Sequence, residues 1–385
     1  MFEASIQNSF DFLSAEYADL FARSAATAFQ HPRWLAALYG KLLTPNAAEP
    51  LVIVVRSKAD GKLAMVLPLI RRRYAFLRMI EFADLRVSDY VSPVAEAQTF
   101  ARILADKACL MQIRRLTRPY DLLRIGKLAE RSLELEKLFG IQRENMGMNA
   151  YATPLGKSYP EWREHRLQRS YCKELDKKSR QLHRKGAVKF ECARDPAAIR
   201  AVFDAMKIYR GLRFGGAEEG GDLLQTPDYF DFYQGLALEG RDDAMRTYGL
   251  WLDGRVIAGV LGLPHKASSF LVIMGGFDFE NFKNQSIGSL MFEQVARDCI
   301  ERGERFLDFT IGDEPYKMTF GAEPAPMSRI MRVGSPLGFA ANLLAESVPS
   351  AKTFARRVFH TSRDPRPVVL ATIVEPPTAT DDIAA

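Results

Sequence analysis

The chain has 385 residues, 47% of them hydrophobic and 26% charged, with a formal net charge of +6. This is the mix of a globular protein, and the small positive excess does not by itself indicate a nucleic-acid binder. The longest uncharged, mostly apolar run, residues 334–345, is shorter than the roughly 18 residues of a membrane span, and MFEASIQNSFDF lacks the parts of a secretory leader. A cytoplasmic protein without a transmembrane helix is therefore expected.

At roughly 100–200 residues per domain, the length suggests two domains, with three as the alternative. Cys109, Cys172, Cys192 and Cys299 form no Cys-x-x-Cys pair, and His31, His165, His183, His265 and His360 show no ligand spacing. Neither a metal site nor a redox motif is expected.

In chain order, residues 51–56 (LVIVVR) and 63–70 (LAMVLPLI) read as strands around the Asp60-Gly61 turn signal. Gln98 opens a helical run to about Arg115, and a strand follows around Asp121. A domain boundary falls near Pro154–Pro160. There Ser158-x-x-Glu161 forms a capping box, and one long helix is expected to about Lys185, closed by Gly186. Its apolar stripe is Leu167, Tyr171, Cys172, Leu175 and Leu182. Helices over about 196–213 and 228–239 flank a glycine-rich stretch at 211–221, which reads either as a mobile lid or as a plain loop. Strands at 245–252 and 256–263 surround Asp253-Gly254, and a third covers 268–274. A helix then runs from Gln285 to about Arg302, followed by a strand around Asp308 and a short helix at Tyr316-Lys317. The tail after about 361 is rich in proline and is expected to be loosely attached.

The two Asp-Gly steps lie 193 residues apart; Gln98/Gln285 and Asp121/Asp308 lie 187 apart. Helix and strand recur in the same order, which reads as a duplication; two unrelated α/β stretches are the alternative. The expected units are 1–156, 157–345 and a C-terminal helix and flexible tail over 346–385, the folded part being a mixed sheet with helices on its faces.

Two features could carry chemistry. In the first, residues 283–303, Ile287, Leu290, Met291, Val295 and Cys299 form an apolar face, and the first turn holds Gln285, Ser286, Gly288 and Ser289. A helix N-terminus has free N–H groups and a positive dipole end that favour phosphate, and Gly288 leaves room for it. An ordinary helix start is the alternative. In the second, residues 305–323, Asp308 lies between apolar neighbours and Tyr316 and Lys317 follow. Acyl transfer from a thioester needs a base for the amine and an acid for the thiolate; Asp308 and Tyr316 are suited to these roles. An Asp308–Lys317 ion pair with Tyr316 as core is the alternative.

The run Gln285-x-x-Gly288, then Asp308, Gly312, Tyr316-Lys317 and Phe320-Gly321, resembles the GNAT acyltransferase superfamily. With FQHPRWLAAL (29–38), SDYVSP (88–93) and RSYCKELDKKSRQLHRKG, it is most similar to the branch termed CelD/BcsL-like, associated with cellulose and exopolysaccharide biosynthesis. The resemblance covers about 20–345 and implies a tandem duplicated GNAT fold related to Fem-type aminoacyltransferases. It implies acyl-CoA (acetyl-CoA) as co-substrate, with its diphosphate on Gln285, Ser286, Ile287, Gly288, Ser289 and Leu290, no metal, and Asp308, Tyr316 and Lys317 as catalytic residues. The usual pattern ends Gly-x-Gly or Gly-x-Ala; here it ends Gly288-Ser289-Leu290. The acceptor would be a small molecule or saccharide bearing an amine or hydroxyl. A Fem-like transferase using aminoacyl-tRNA and an inactive binding protein are the alternatives. Residues 163–189, with ten Lys/Arg against Glu164, Glu174 and Asp176, suit an anionic partner or form a solvated face. In the first half Ala101 stands where Gly288 stands, between Phe100 and Arg102, and Gly126-Lys127-Leu128 replaces the Tyr-Lys pair. That half is expected to buttress the other without binding donor.

Overall fold

Runs such as Leu51–Val55, apolar at every position, form strands covered on both faces. The computed structural model describes residues 1–130, 132–214, 221–240 and 243–347. The first half contains β1 (Phe2–Ile6), α1 (Ala15–Arg23), α2 (Pro32–Ala37), β2 (Ala48–Ser57), β3 (Leu63–Tyr74) and β4 (Leu77–Phe82). It continues with β5 (Val94–Ala95), α3 (Ala97–Ala105), α4 (Lys107–Leu116), β6 (Leu122–Ala129), α5 (Leu135–Phe139) and β7 (Glu144–Pro154). The second contains α6 (Tyr159–Arg166), α7 (Arg169–His183), β8 (Val188–Ala193), α8 (Pro196–Phe214), α9 (Pro227–Glu239), β9 (Arg246–Leu252), β10 (Arg255–His265) and β11 (Ser269–Phe277). It ends with α10 (Ile287–Glu301), β12 (Phe306–Ile311), α11 (Tyr316–Thr319), β13 (Glu323–Val333) and α12 (Pro336–Ser347).

All strands join one mixed sheet in the order β1-β2-β3-β4-β6-β13-β7-β12-β11-β10-β9-β8, with β5 on β3. Each half lays down antiparallel strands and then a parallel pair, β4 with β6 and β11 with β12. The last strands are exchanged: β7 of the first half pairs with β12, and β13 of the second pairs with β6, the two meeting each other at the centre. One apolar core includes Val52 and Val54 of β2, Trp34 of α2, Val202 and Phe203 of α8, Phe232 of α9 and Leu261 of β10, so it belongs to both halves. Separate cores lie under α3 and α4 and under α6, α7 and α10.

Both Asp-Gly turns connect strand pairs as expected. Three expectations are corrected. The helix from Pro160 to Lys185 is two helices, because buried Leu167 is extended (φ −102°, ψ 146°) and Gln168 starts the next. The run from Gln98 to Arg115 is broken at Asp106, whose carboxylate caps Cys109 N–H and accepts from Phe2 N–H. Asp121 is not the structural counterpart of Asp308. Bulges with positive φ fall at Lys127 (59°) and Thr310 (57°), and matching them places Ile125 opposite Asp308. Most of the glycine-rich stretch and the tail beyond 347 lie outside the described residues.

Candidate active site

The parallel strands β11 and β12 pair only over Ser269–Leu271 and Phe306–Asp308. Beyond Asp308, β12 bulges toward β7, where Ile311 meets Ala150, while β11 stays with β10 as far as Phe277. Thr310 Oγ1 donates to Val272 O at 3.2 Å across the point of divergence. Past the divergence, β11 leads into the turn that starts α10, and β12 leads into α11.

Half-buried Asp308 sits at the vertex of this divergence. It accepts from Thr310 N–H at 2.7 Å and from Tyr90 OH at 2.9 and 3.1 Å. Removal from water pushes its pKa from the ordinary 3.8 up to about 6, and the nearby Asp89 carboxylate adds to the rise; the two hydrogen bonds and the charge of Lys317 oppose it. Tyr90 is buried and its own pKa is raised, chiefly by burial. The first half thus contributes a residue to a site that the sequence places in the second. The only local signal for it is the SDYVSP run.

Segment 84–93 holds Tyr90 rigidly. Lys127 Nζ donates to Ser88 O at 2.7 Å and pairs with Asp84 at 3.1 Å; Trp34 Nε1 donates to Ser88 Oγ at 3.2 Å, and Val91 N–H to Lys127 O at 3.1 Å.

The first turn of α10 opens at Ser286, in the left-handed region at φ 50°, and Leu290 N–H to Ser286 O closes the first helical hydrogen bond. The amides before it point out of the helix end. Gln285, Ser286, Gly288 and Ser289 are half-buried, whereas Ile287 and Leu290 are buried in the core. Leu290 therefore faces the interior. A Cβ at Gly288 would lie 3.7 Å from the Phe277 ring, an ordinary contact, so internal packing does not require glycine there. The turn fits an anionic donor group approaching from outside.

Tyr316 is half-buried, stacked on Phe292 of α10 (centroids 5.3 Å apart, planes 2°) and edge-on to Phe309 of β12. Lys317 is 2% exposed and lies beneath the turn that carries Tyr316. It donates to the carbonyls of Thr310, Ile311 and Gly312 at 3.3, 3.0 and 2.8 Å and pairs with Glu314 at 2.9 Å. The structure thus places Asp308 on the strand that diverges from β11 and Tyr316 on the helix that follows it, packed on α10 through Phe292. Lys317 acts as a clamp for the 310–314 turn and influences Asp308 through its charge.

The parallel strands β4 and β6 of the first half also diverge, after Ile80 and Leu123. Glu81, Asp84, Arg124 and Lys127 line a cavity of about 20 Å³ there, room for about one water. Among the described residues no group of three His, Cys, Asp or Glu could hold a metal, and no helix is long and apolar enough to cross a membrane.

The family model "Acetyltransferase (GNAT) domain" matches residues 169–318. A comparison with curated proteins found no match. Among solved structures the chain is similar to FemX, at 13% identity, covering 88% of this chain and 99% of that one with a TM-score of 0.60. It is also similar to the C-terminal domain of a putative lysylphosphatidylglycerol synthetase from Agrobacterium fabrum (12%, 89% and 99%, TM-score 0.54). L-PGS from Bacillus licheniformis is another such structure (10%, 91% and 98%, TM-score 0.54). At these identities the likeness concerns the fold. The chain is a mixed α/β protein with the fold of these structures, and residues 169–318 in its second half match the acetyltransferase domain.

Proposed function

We propose that this chain is an N-acyltransferase that moves an acyl group from acyl-CoA to an amine. The observation that supports this most directly is the divergence of β11 from β12 at Asp308, with the α10 turn following the one strand and Tyr316 the other. We take 1–156 as the supporting unit, 157–345 as the catalytic unit and 346–385 as a C-terminal extension.

The donor supplies a thioester carbonyl and a thiolate leaving group. Gln285, Ser286, Gly288 and Ser289 offer the accessible surface of the α10 turn to its diphosphate. Asp308, with a pKa of about 6, is ionised near neutrality and takes the proton of the incoming amine. As the new N–C bond forms and the C–S bond breaks, Tyr316 OH protonates the departing sulfur. Tyr90 and Thr310 hold the Asp308 carboxylate in place. We place the reaction in the cytoplasm and the acceptor among amino sugars, amino acids and lipid amines. Polysaccharide or cell-envelope synthesis is the setting that the CelD/BcsL-like resemblance supports.

A second reading, a Fem-like transfer from aminoacyl-tRNA, is supported by the basic α7 beside the donor turn. Lys178 Nζ donates to Asn284 O at 2.6 Å. Isothermal titration with CoA, acetyl-CoA and longer acyl-CoAs distinguishes the two. One acyl-CoA bound per chain supports the first reading; no binding of any CoA species refutes it. Binding of a tRNA then favours the second, and binding of neither a binding protein without activity.

A further inference from the structure

Asp121 lies apart from the candidate active site, at the start of β6, and joins three segments of the surface. Its carboxylate accepts from Arg78 N–H at 2.8 Å, from the Arg78 guanidinium at 3.0 Å twice and from Ser335 Oγ at 2.7 Å. Its carbonyl accepts from Gly334 N–H at 2.8 Å, and a side chain on Gly338 would collide with it. The β3–β4 hairpin, the segment leading into β6 and the first turn of α12 are therefore fixed together at one edge. Below them Leu77, Met79 and Leu122 form a small core against which Tyr74 and Ala341 pack.

What this edge shows to water is unusual. Phe76, at the tip of the hairpin beside Ala75 (φ 54°), is 90% exposed; Leu337 and Phe339 on α12 are 47% and 62% exposed. The surrounding charge is mainly positive, with Arg78 paired to Asp121 and Arg72 to Glu81. Residues 71–80 hold four arginines, 111–120 three and 331–343 one, and none of these segments contains an Asp or Glu. Arg73, Arg78 and Arg118 are exposed. Protruding aromatic and aliphatic side chains ringed by arginine match a membrane interface: the apolar groups enter the headgroup region and the guanidinium groups meet phosphates. A polyanion without an apolar phase would use the arginines and leave Phe76, Leu337 and Phe339 in water.

We propose that this edge docks on a lipid bilayer bearing anionic headgroups. The test is flotation of the full-length protein with vesicles of phosphatidylcholine alone and of phosphatidylcholine mixed with phosphatidylglycerol. The protein is expected to float only with the anionic vesicles and to be released by salt. The pairs Phe76→Ser with Phe339→Ser and Arg73→Glu with Arg118→Glu are each expected to reduce binding about tenfold or more at unchanged melting temperature. Absence of flotation at low salt overturns the proposal, as does equal flotation with neutral vesicles. So does loss through the arginine pair with none through the phenylalanine pair, which identifies a general polyanion surface. Loss only when Arg180 of α7 and Arg184 and Lys185 just after it are changed transfers the binding to that region and overturns it too. Self-association abolished by the phenylalanine pair, without vesicle binding, identifies a second copy as the occupant and refutes the bilayer.

Discussion

Tyr90 donates its phenolic proton to Asp308 at 2.9 Å across 218 residues of sequence, so the candidate base of the second half is held by a side chain of the first. The bond favours the ionised carboxylate and restrains the rise in its pKa.

Tyr90→Phe removes that restraint. The pKa of Asp308, already about 6, is expected to rise further. The acid limb of the kcat/KM profile then moves to higher pH while the plateau falls less than the limb moves. A uniform loss at every pH, without displacement of the limb, is the outcome for a Tyr90 that only packs.

Asp308→Asn separates chemistry from stability. The carboxylate has a folded pKa of about 6 against an ordinary 3.8, so between these values the native state holds more proton than the unfolded chain. Its contribution to stability is present in full below pH 4 and is lost as pH rises through 6. The Asn variant lacks this dependence and is expected to gain in melting temperature relative to the parent from pH 4.5 to pH 7.5. Activity is expected to fall about 10²–10⁴-fold. A variant that melts well below the parent at pH 7.5 while retaining turnover marks Asp308 as a structural charge.

Tyr316→Phe keeps the stack on Phe292 and removes the hydroxyl. Turnover is expected to drop by about 10²–10⁴-fold with acyl-CoA affinity within twofold of the parent, by about the measure of a lost general acid. Stopped-flow turnover and calorimetry on the same sample check both halves of the expectation.

Lys317→Met, by contrast, is expected to act first on stability. It leaves Glu314 and three carbonyls without the buried ammonium, a loss of about 3 kcal/mol measurable by urea denaturation. A variant as stable as the parent but inactive gives Lys317 a chemical role instead.

Gly288→Ala probes the donor turn. The inner contact distance of 3.7 Å leaves space for a methyl group, so the variant is expected to fold with an unchanged or raised melting temperature. Its acyl-CoA affinity is expected to fall, and Gly288→Asp to abolish binding. Unchanged affinity in both folded variants removes the phosphate from this turn.

The order of elements in the second half was legible because Asp253-Gly254, the 3.6-residue stripe of α10 and Pro315 each mark a boundary locally. The break at Leu167 was not: no Gly or Pro marks it, and the extended backbone follows from burial of Leu167 in the core beneath α10. Asp121 matched Asp308 by spacing because the sequence shows the repeated strand, whereas the bulges at Lys127 and Thr310 that set the true register are backbone conformations. The α10 turn, Asp308 and Tyr316 could be named from one stretch of sequence. Tyr90 could not be assigned its role, since its contact depends on the folding of both halves.

The exchange of β7 and β13 has a mechanical consequence. A cleft between two separately hinged lobes can open by swinging them apart, but here each lobe ends in a strand hydrogen-bonded into the other. Rotation of one against the other would tear backbone ladders on both sides of the centre. For the proposed reaction, donor entry and product exit then rely on the helices and loops around Asp308, with the sheet as a fixed chassis. A chain cut between β7 and α6 should stay assembled as two fragments that separate only on unfolding.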